Sequence, residues 1–321
     1  MSRNYANVVA VYRGDTELDA VRKGDTLIWQ CESEDHYLLK NYSEATFNIT
    51  SVLDISINIT QTKNVGTVVD WGDGSDRDLV ADLSAKVTHS YAEAGVYTAK
   101  IYSYSDNEWK PGANNTTSGF MANATSKETD SILTRFICGD HCKLDGQYAF
   151  YECAALTYVD VGDNLIIGTN AFNGCAALAT VIFPNGSIVL QDYAFTGCKA
   201  LSWSLFAFDT IGMYAFQNCT GFPANIEIRS RVLKRDAFNT CTQLRKVWLR
   251  SSIEKITTFT TTTETPYTVG PFRSCNQELV LYAEPASRPA GDADHTWETG
   301  FNGGSATITF NVVWGQTASP F

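Results

Sequence analysis

The chain has 321 residues, enough for two or three folding units, and 44% of them are hydrophobic, which allows buried cores. Its formal net charge of -11 and pI near 4.8 argue against nucleic-acid binding, because an acidic surface repels a phosphate backbone. No stretch reaches the roughly 18 consecutive apolar residues of a membrane-spanning helix, so no membrane insertion is expected.

Residues 1–30 contain two short copies of one pattern. Val11–Leu18 and Val21–Trp29 each consist of a strand-like run, a Gly-Asp turn and a second run, which predicts a β-hairpin element. The beginning of the sequence lacks the apolar core of a secretory signal, so we expect a chain made in the cytosol. One interpretation of the element is a small β-meander packed on the next domain.

The paired motifs Tyr-x-Gly-Asp-x-x-Leu and Gly-Asp-x-Leu-x-Trp also resemble the N-terminal segments of tailed-bacteriophage virion proteins. The resemblance implies a virion-docking element that binds other virion proteins of the capsid, neck or tail. It implies a virion location, reached by assembly in the host cytoplasm.

Residues 31–105 alternate between apolar and polar side chains, as in Thr46–Thr50 and Asp54–Thr60, which predicts strands with one buried face. Three separated elements follow: Trp-Gly-Asp-Gly at 71–74, His-Ser-Tyr at 89–91 and Gly-Val-Tyr at 95–97. They resemble the polycystic-kidney-disease (PKD) domain, an Ig-like β-sandwich. Members of that family usually act as spacers or adhesive modules.

Asp70, Asp73 and Asp76 crowd the Gly-containing turn of this region. Carboxylates in such a turn can bind calcium, which makes the three residues weak calcium candidates. The alternative is a solvated turn in which Asp side chains accept hydrogen bonds from nearby N–H groups, and the missing closing Glu favours it.

Residues 106–131 are rich in Asn, Thr, Ser and Gly, which predicts a linker. Phe120 and Met121 are the apolar residues that could attach it to a neighbouring domain.

Residues 132–282 contain a repeat in which a Phe is followed three residues later by a Cys, with Phe-to-Phe steps of 22, 23, 21, 22 and 34 residues. Such a period predicts a solenoid of stacked units that bury a shared core. The unit, a strand, a turn, a short second strand and an Ala-Phe-x-x-Cys turn, resembles the BspA-like class of leucine-rich repeats. The predicted core ladder comprises Phe150, Cys153, Phe172, Cys175, Phe195, Cys198, Phe216, Cys219, Phe238, Cys241, Phe272 and Cys275.

The nine cysteines are expected to be free, buried thiols, since six of them share one repeat slot and a cytosol is reducing. Cys138, His141 and Cys142 offer three zinc ligands, but zinc needs four, and packing at the end of a strand explains Cys138 equally well.

The longest step holds a Thr-rich insertion of about twelve residues. Insertions of this kind lie on one face of a solenoid, often the binding face, which nominates Thr260 and Thr262; a tolerated surface bulge is the alternative. If Val247 and Leu249 point inward, Trp248 faces solvent with Lys246 and Arg250, which nominates those three for binding. Residues 283–321 are expected to form a C-terminal β cap.

The sequence thus predicts a mainly β, multi-domain protein that binds rather than catalyses. We expect no catalytic residues and no cofactor. The preferred hypothesis is a bacteriophage virion structural protein (a fibre, decoration protein or adhesin) whose solenoid binds a host surface glycan or protein. The second hypothesis is a bacterial cell-surface adhesin, and the third is a polysaccharide-degrading enzyme. A homo-oligomeric state stays open.

Overall fold

The computed structural model describes residues 11–13, 16–18, 20–23, 26–30, 42–51, 53–63, 66–103, 107–112, 119–121, 132–250, 253–256, 259–260, 268–276, 278–284 and 311–321. Strands and turns make up these ranges, and they contain no helix. In the same ranges, therefore, no helix has the length and apolar character to span a membrane. The prediction of a mainly β chain is confirmed.

Two antiparallel strand pairs occur in the N-terminal element, and they are separate from the other sheets. The first joins β1 (Val11–Arg13) to β2 (Thr16–Leu18), and the second joins β3 (Ala20–Lys23) to β4 (Thr26–Gln30). The two Gly-Asp turns lie between the paired strands, outside the described residues. The docking role of residues 1–30 stays a prediction.

The next seven strands form two facing sheets. They are β5 (Ser43–Ile49), β6 (Leu53–Gln61), β7 (Thr67–Asp70), β8 (Asp78–Val80), β9 (Ser84–Tyr91), β10 (Gly95–Ser103) and β11 (Trp109–Pro111). One sheet has the order β5-β10-β7-β8, and the other has the order β11-β6-β9. Alternate residues such as Phe47, Ile57 and Trp71 point between the sheets and are buried, because successive side chains of a strand face opposite ways.

The linker predicted at 106–131 is wrong for residues 107–112, while Phe120 and Met121 pack as the expected attachment of the segment. Residues 107–112 contain β11, which pairs with β6 and buries Trp109. The amide of Phe120 donates to the carbonyl of Ala149 at 2.7 Å, and the Phe120 ring is fully buried. The polar composition hid the strand at Trp109, whereas Phe120 attaches the segment to its neighbour as expected. The burial of both rings outweighs the loop-like character of their neighbours.

One sheet runs from the sandwich into the solenoid. Strand β12 (Leu133–Ile137) pairs antiparallel with β5 of the sandwich on one side. On the other side it pairs parallel with β13 (Tyr158–Asp160), which in turn pairs parallel with β15 (Thr180–Ile182). The result is a seven-stranded sheet in which the first repeats continue the sandwich by backbone hydrogen bonds.

The remaining repeats build two further parallel sheets of five strands each. The second sheet consists of β14 (Ile166–Ile167), β16 (Val189–Leu190), β18 (Thr210–Ile211), β20 (Val232–Leu233) and β22 (Lys255–Ile256). The third sheet consists of β17 (Leu205–Phe206), β19 (Asn225–Ile228), β21 (Lys246–Leu249), β25 (Val280–Ala283) and β26 (Asn311–Val313). Each strand aligns with the strand one repeat away, which is the stacking that the sequence period predicts.

Within the Thr-rich insertion, β23 (Phe259–Thr260) pairs antiparallel with β24 (Thr268–Val269). At the end of the chain, β26 pairs parallel with β25 and so adds one more strand to the third sheet. Residues 285–310, which would contain the rest of the predicted cap, lie outside the described residues.

The Ala-Phe-x-x-Cys turns contain a left-handed residue two positions after each Phe, at Glu152, Gly174, Gly197, Asn218, Thr240 and Ser274. Thr240 has a φ of 59°, which is strained for a β-branched residue. Thr240→Gly is therefore expected to raise the free energy of unfolding by about 0.5–1 kcal/mol, measured by urea unfolding. Thr242→Gly, two residues away at an ordinary φ, should lower it by a similar amount; a loss in both variants would contradict the strain at Thr240.

Candidate binding site

One column of aromatic rings runs through the interior of the solenoid. Neighbouring rings in this column lie 5.0–5.7 Å apart, centre to centre, with interplanar angles of 11–27°. The rings belong to Phe150, Phe172, Phe195, Phe216, Phe238 and Phe272, all fully buried. At the N-terminal end, Phe120 and Phe136 pack against Phe150 at 5.8 and 4.6 Å and cover the first ring.

A column of thiols runs beside the rings. From Cys175 onward, each thiol of the column donates to the carbonyl oxygen of the Phe one repeat earlier, as in Cys198 Sγ to Phe172 O at 3.1 Å and Cys219 Sγ to Phe195 O at 3.1 Å. The same pattern continues through Cys241 and Cys275. The eight cysteines that the structure describes are all buried thiols. The Phe and Cys side chains thus occupy the interior, which leaves the outer faces of the sheets for binding.

Burial holds these thiols in their neutral form. It raises the pKa of Cys275 to about 12 and raises the pKa of Cys198 and Cys241 well above the usual value. Because the thiolate is the reactive species, we expect no labelling of the repeat cysteines by iodoacetamide at about pH 8 in the native protein, and full labelling in urea. Mass spectrometry of the peptides measures both.

Above about pH 9 the thiols ionise in the unfolded chain but not in the folded protein, where their pKa is raised. The free energy of unfolding is therefore unaffected by the thiols below about pH 9 and falls as the pH rises toward the folded-state pKa. Rapid labelling of Cys198 or Cys219 in the native protein would contradict a closed core.

The outer face of the third sheet contains the best-defined polar and aromatic surface. Trp248 lies on β21, next to Tyr282 of β25 in the strand register, while Val247 and Leu249 point into the core. The Arg250 guanidinium lies 4.2 Å from the centre of the Trp248 ring, a cation–π distance. Lys246 lies 5.9 Å from the centre of the Tyr282 ring.

The expectation that Trp248 faces solvent is wrong. Its side chain does point away from the core, but only 6% of the residue is exposed. The chain beyond β26 folds back over it: the indole Nε1 donates to the carbonyl of Gln316 at 3.3 Å, and the Phe321 ring meets Trp248 edge-on at 6.4 Å. Strand alternation predicts the direction of a side chain but not whether a distant segment covers it.

Lys246 and Arg250 stay partly exposed beside Trp248. The Lys246 ammonium donates to the carbonyl of Pro320 at 3.3 Å. Arg250 forms ion pairs with Glu227 at 2.9 Å and Glu284 at 3.0 Å, which fix its guanidinium over the indole. The structure therefore brings Trp248, Lys246 and Arg250 together on the outer face of the third sheet.

The side chains of the two threonines nominated in the insertion, Thr260 and Thr262, lie outside what the structure describes. Thr260 lies in β23, where the structure describes the backbone pairing but not the side chain. Thr262 lies outside the described residues. Their role in binding stays a prediction.

The acidic turn of the sandwich has partners within the protein. Asp70 forms an ion pair with Arg77 at 2.8 Å and accepts from the Gly72 amide. Asp73 accepts from the Ser75 amide and hydroxyl, and it lies 2.8 Å from His89 Nε2. Burial alone would raise the pKa of Asp73, but these hydrogen bonds outweigh it and lower the pKa. Two of the three calcium candidates thus serve the turn itself, as the solvated-turn alternative expects; Asp76 is exposed.

The Cys138–Cys142 segment lies where the sandwich meets the solenoid. The amide of Trp109 donates to the carbonyl of His141 at 2.9 Å, and both cysteines are buried. Within the described ranges, no three His, Cys, Asp or Glu side chains are grouped so as to hold a metal ion.

Sequence reasoning missed Tyr282, Gln316 and Phe321 as parts of the outer surface. Tyr282 had a usable signal, because Val280 and Tyr282 alternate with buried Leu281 and Ala283 just as Lys246 and Trp248 do with their neighbours. Gln316 and Phe321 had none, since their contact with β21 joins residues 68 or more positions apart.

Parallel strands stacked at one repeat per layer define a solenoid, and comparison with known proteins gives its class. Residues 143–263 match the family model of the BspA type leucine-rich repeat region, in six copies. This part of the chain, somewhat over a third of its length, therefore consists of BspA-type leucine-rich repeats. The resemblance of residues 31–105 to the PKD domain rests on its sequence motifs and stays a prediction.

Two solved structures resemble the chain. The leucine-rich repeat protein of T. pallidum is 21% identical, over 49% of this chain and 75% of that one, with a TM-score of 0.31. A leucine-rich cell surface protein from Faecalibacterium prausnitzii is 17% identical, over 59% of this chain and 68% of that one, with a TM-score of 0.24. No curated protein matches the sequence.

Proposed function

We propose that this protein is a surface-binding protein, without catalytic activity, whose leucine-rich repeats bind a host-cell surface protein or glycan. One observation supports the proposal most: the repeat interior is filled by stacked Phe rings and neutral thiols, while Trp248, Tyr282, Lys246 and Arg250 gather on the outside. Trp, Tyr and Arg are the residues that dominate binding energy at protein interfaces.

The finer proposal is that the chain is a tailed-bacteriophage virion protein. Residues 1–30 would dock it to capsid, neck or tail proteins, and the sandwich would hold the repeats away from the particle. The paired Gly-Asp motifs support the docking role. The backbone pairing of β5 with β12 supports a spacer that carries the repeats in a defined direction.

Particle composition tests the virion proposal. Mass spectrometry of purified particles should find this chain in a fixed ratio to the capsid protein, and deletion of residues 1–30 should abolish incorporation without loss of the repeat fold. Absence from the particles would end the virion assignment, and incorporation of the shortened chain would place docking elsewhere.

A bacterial cell-surface adhesin fits the BspA-type repeats equally well. The two candidates share the binding surface and differ in what carries it. Surface labelling of intact bacteria that encode the chain, in a culture free of phage particles, should detect the protein if it is an adhesin of the cell. A polysaccharide-degrading enzyme would instead release new reducing ends from host capsule, which we expect not to happen.

A further inference from the structure

The outer face of the third sheet is covered by a piece of the chain that has no regular secondary structure and bends at Ala318. Residues 315–321, here called the covering segment, cross β25 and β21 on their outer side. The Gln316 amide donates to the carbonyl of Ala283 at 2.9 Å, and the segment then passes over Trp248 as far as Phe321. This face of the sheet is therefore in contact with a polypeptide segment of the same chain.

The contacts use groups that can bind any polypeptide backbone. The Trp248 indole N–H and the Lys246 ammonium both donate to backbone carbonyls, which every peptide offers. The Phe321 ring packs perpendicular to the Trp248 ring, and Arg250 is held over the same indole. Trp248 and Lys246 thus bind the carbonyls of Gln316 and Pro320, which are four residues apart. An aromatic residue, Phe321, follows Pro320 directly.

The covering segment is weakly held for a structural element. Gly315, Thr317, Ala318 and Ser319 are exposed, and Phe321 keeps 48% of its surface in solvent. The hydrogen bonds from Trp248 and Lys246 are both 3.3 Å long, at the far end of the normal range. By contrast, more contacts hold the surface beneath: two ion pairs fix Arg250, and the parallel strands place Trp248 next to Tyr282.

We propose that the covering segment is an internal ligand that masks a peptide-binding site, and that a segment of a partner protein displaces it. The partner segment carries an aromatic side chain directly after a backbone carbonyl that Lys246 binds. This inference rests on the proposed binding function and deepens it, since it selects a protein segment over a glycan as the ligand at Trp248.

The test uses the full chain and a peptide of defined sequence. The double variant Gln316→Pro/Phe321→Ala removes the Gln316 N–H donor and the aromatic contact, so it should detach the segment. A fluorescent peptide with the sequence of residues 315–321 should bind this variant at least tenfold more tightly than it binds the native chain. In 5-fluorotryptophan-labelled protein, the Trp248 resonance, assigned with Trp248→Phe, should shift in the variant and return when the peptide is added.

Two controls make the outcome decisive. Adding Trp248→Ala to the double variant should abolish peptide binding, whereas Leu205→Ala should not change it. Leu205 is 45% exposed and belongs to the same sheet, two strands away from Trp248. Equal peptide binding by native and double-variant chains, or an unmoved Trp248 resonance, would overturn the proposal.

Self-association that requires an intact Phe321 would replace the partner protein with a second copy of the chain and would also overturn the proposal. Because these measurements use purified protein, their failure would leave binding to host cells untouched. Failure to bind cells would likewise leave the peptide result standing.

Discussion

Replacing Phe216 with alanine is expected to lower the free energy of unfolding by about 4 kcal/mol. Phe216 lies in the middle of the aromatic column, stacked on Phe195 at 5.7 Å and on Phe238 at 5.3 Å. Phe206 and Phe222 meet its ring edge-on at 5.2 and 5.6 Å, so no neighbour can move into the space without losing its own contacts. Urea unfolding, followed by circular dichroism, measures the loss.

Two variants control for this result. Phe216→Leu retains most of the volume and should cost about 1.5 kcal/mol or less. Phe321→Ala removes the same atoms from a half-exposed site and should cost under about 1 kcal/mol. A Phe216→Ala loss no greater than that of Phe321→Ala would show that Phe216 is not enclosed.

The second large effect is expected at a glycine where two repeats touch. A Cβ on Gly168 would lie 1.9 Å from the carbonyl oxygen of Gly146, one repeat earlier, and 2.7 Å from its carbonyl carbon. Because the Gly146 carbonyl belongs to the backbone, it cannot change rotamer to avoid the added Cβ. The two repeats must therefore move apart locally. Gly168→Ala should therefore lower the free energy of unfolding by about 3 kcal/mol, near the upper end for overpacking.

Gly146→Ala is the matched control for this variant. Its Cβ would meet nothing nearer than the Lys110 side chain at 3.5 Å, an ordinary contact. We expect a change within about 1 kcal/mol, measured by the same unfolding curve. Similar losses in the two variants would mean that glycine flexibility, rather than close contact between repeats, determines the effect.

The repeat region was predictable because its signal is local and recurs. Each Phe–Cys turn places the same two side chains inward, and a period near 22 residues leaves stacking as the way to bury them. Trp71 and Tyr91 of the sandwich are buried for a similar reason, since strands of alternating polarity have one core face.

The connections between these units were not predictable in the same way. The pairing of β5 with β12 joins residues about 88 positions apart, and neither strand carries a signal that selects the other. Trp109 and Phe120 sit in polar sequence that looks like a linker, yet Phe120 covers the first ring of the aromatic column. Composition averages over a window and so hid the strand at Trp109, whereas Phe120 stood out as an apolar residue in that window.

The candidate site shows the same division between local and distant information. Alternation within β21 placed Trp248, Lys246 and Arg250 on one outer face, and these side chains do lie there. The burial of Trp248 depends on Gln316 and Phe321, which reach it only through the fold. A sequence pattern thus predicted where the surface is, and the structure adds that the chain covers it.

Ring-to-ring nuclear Overhauser effects among the repeat phenylalanines test the central claim most directly. In protein labelled on Phe, with assignments from single Phe→Leu variants, cross-peaks are expected between successive rings, such as Phe172 with Phe195 at 5.0 Å and Phe195 with Phe216 at 5.7 Å. No cross-peak is expected between Phe172 and Phe216, which lie two repeats apart. Missing contacts between successive rings, or contacts that skip a repeat, would contradict a single stacked core and the outer binding surface that depends on it.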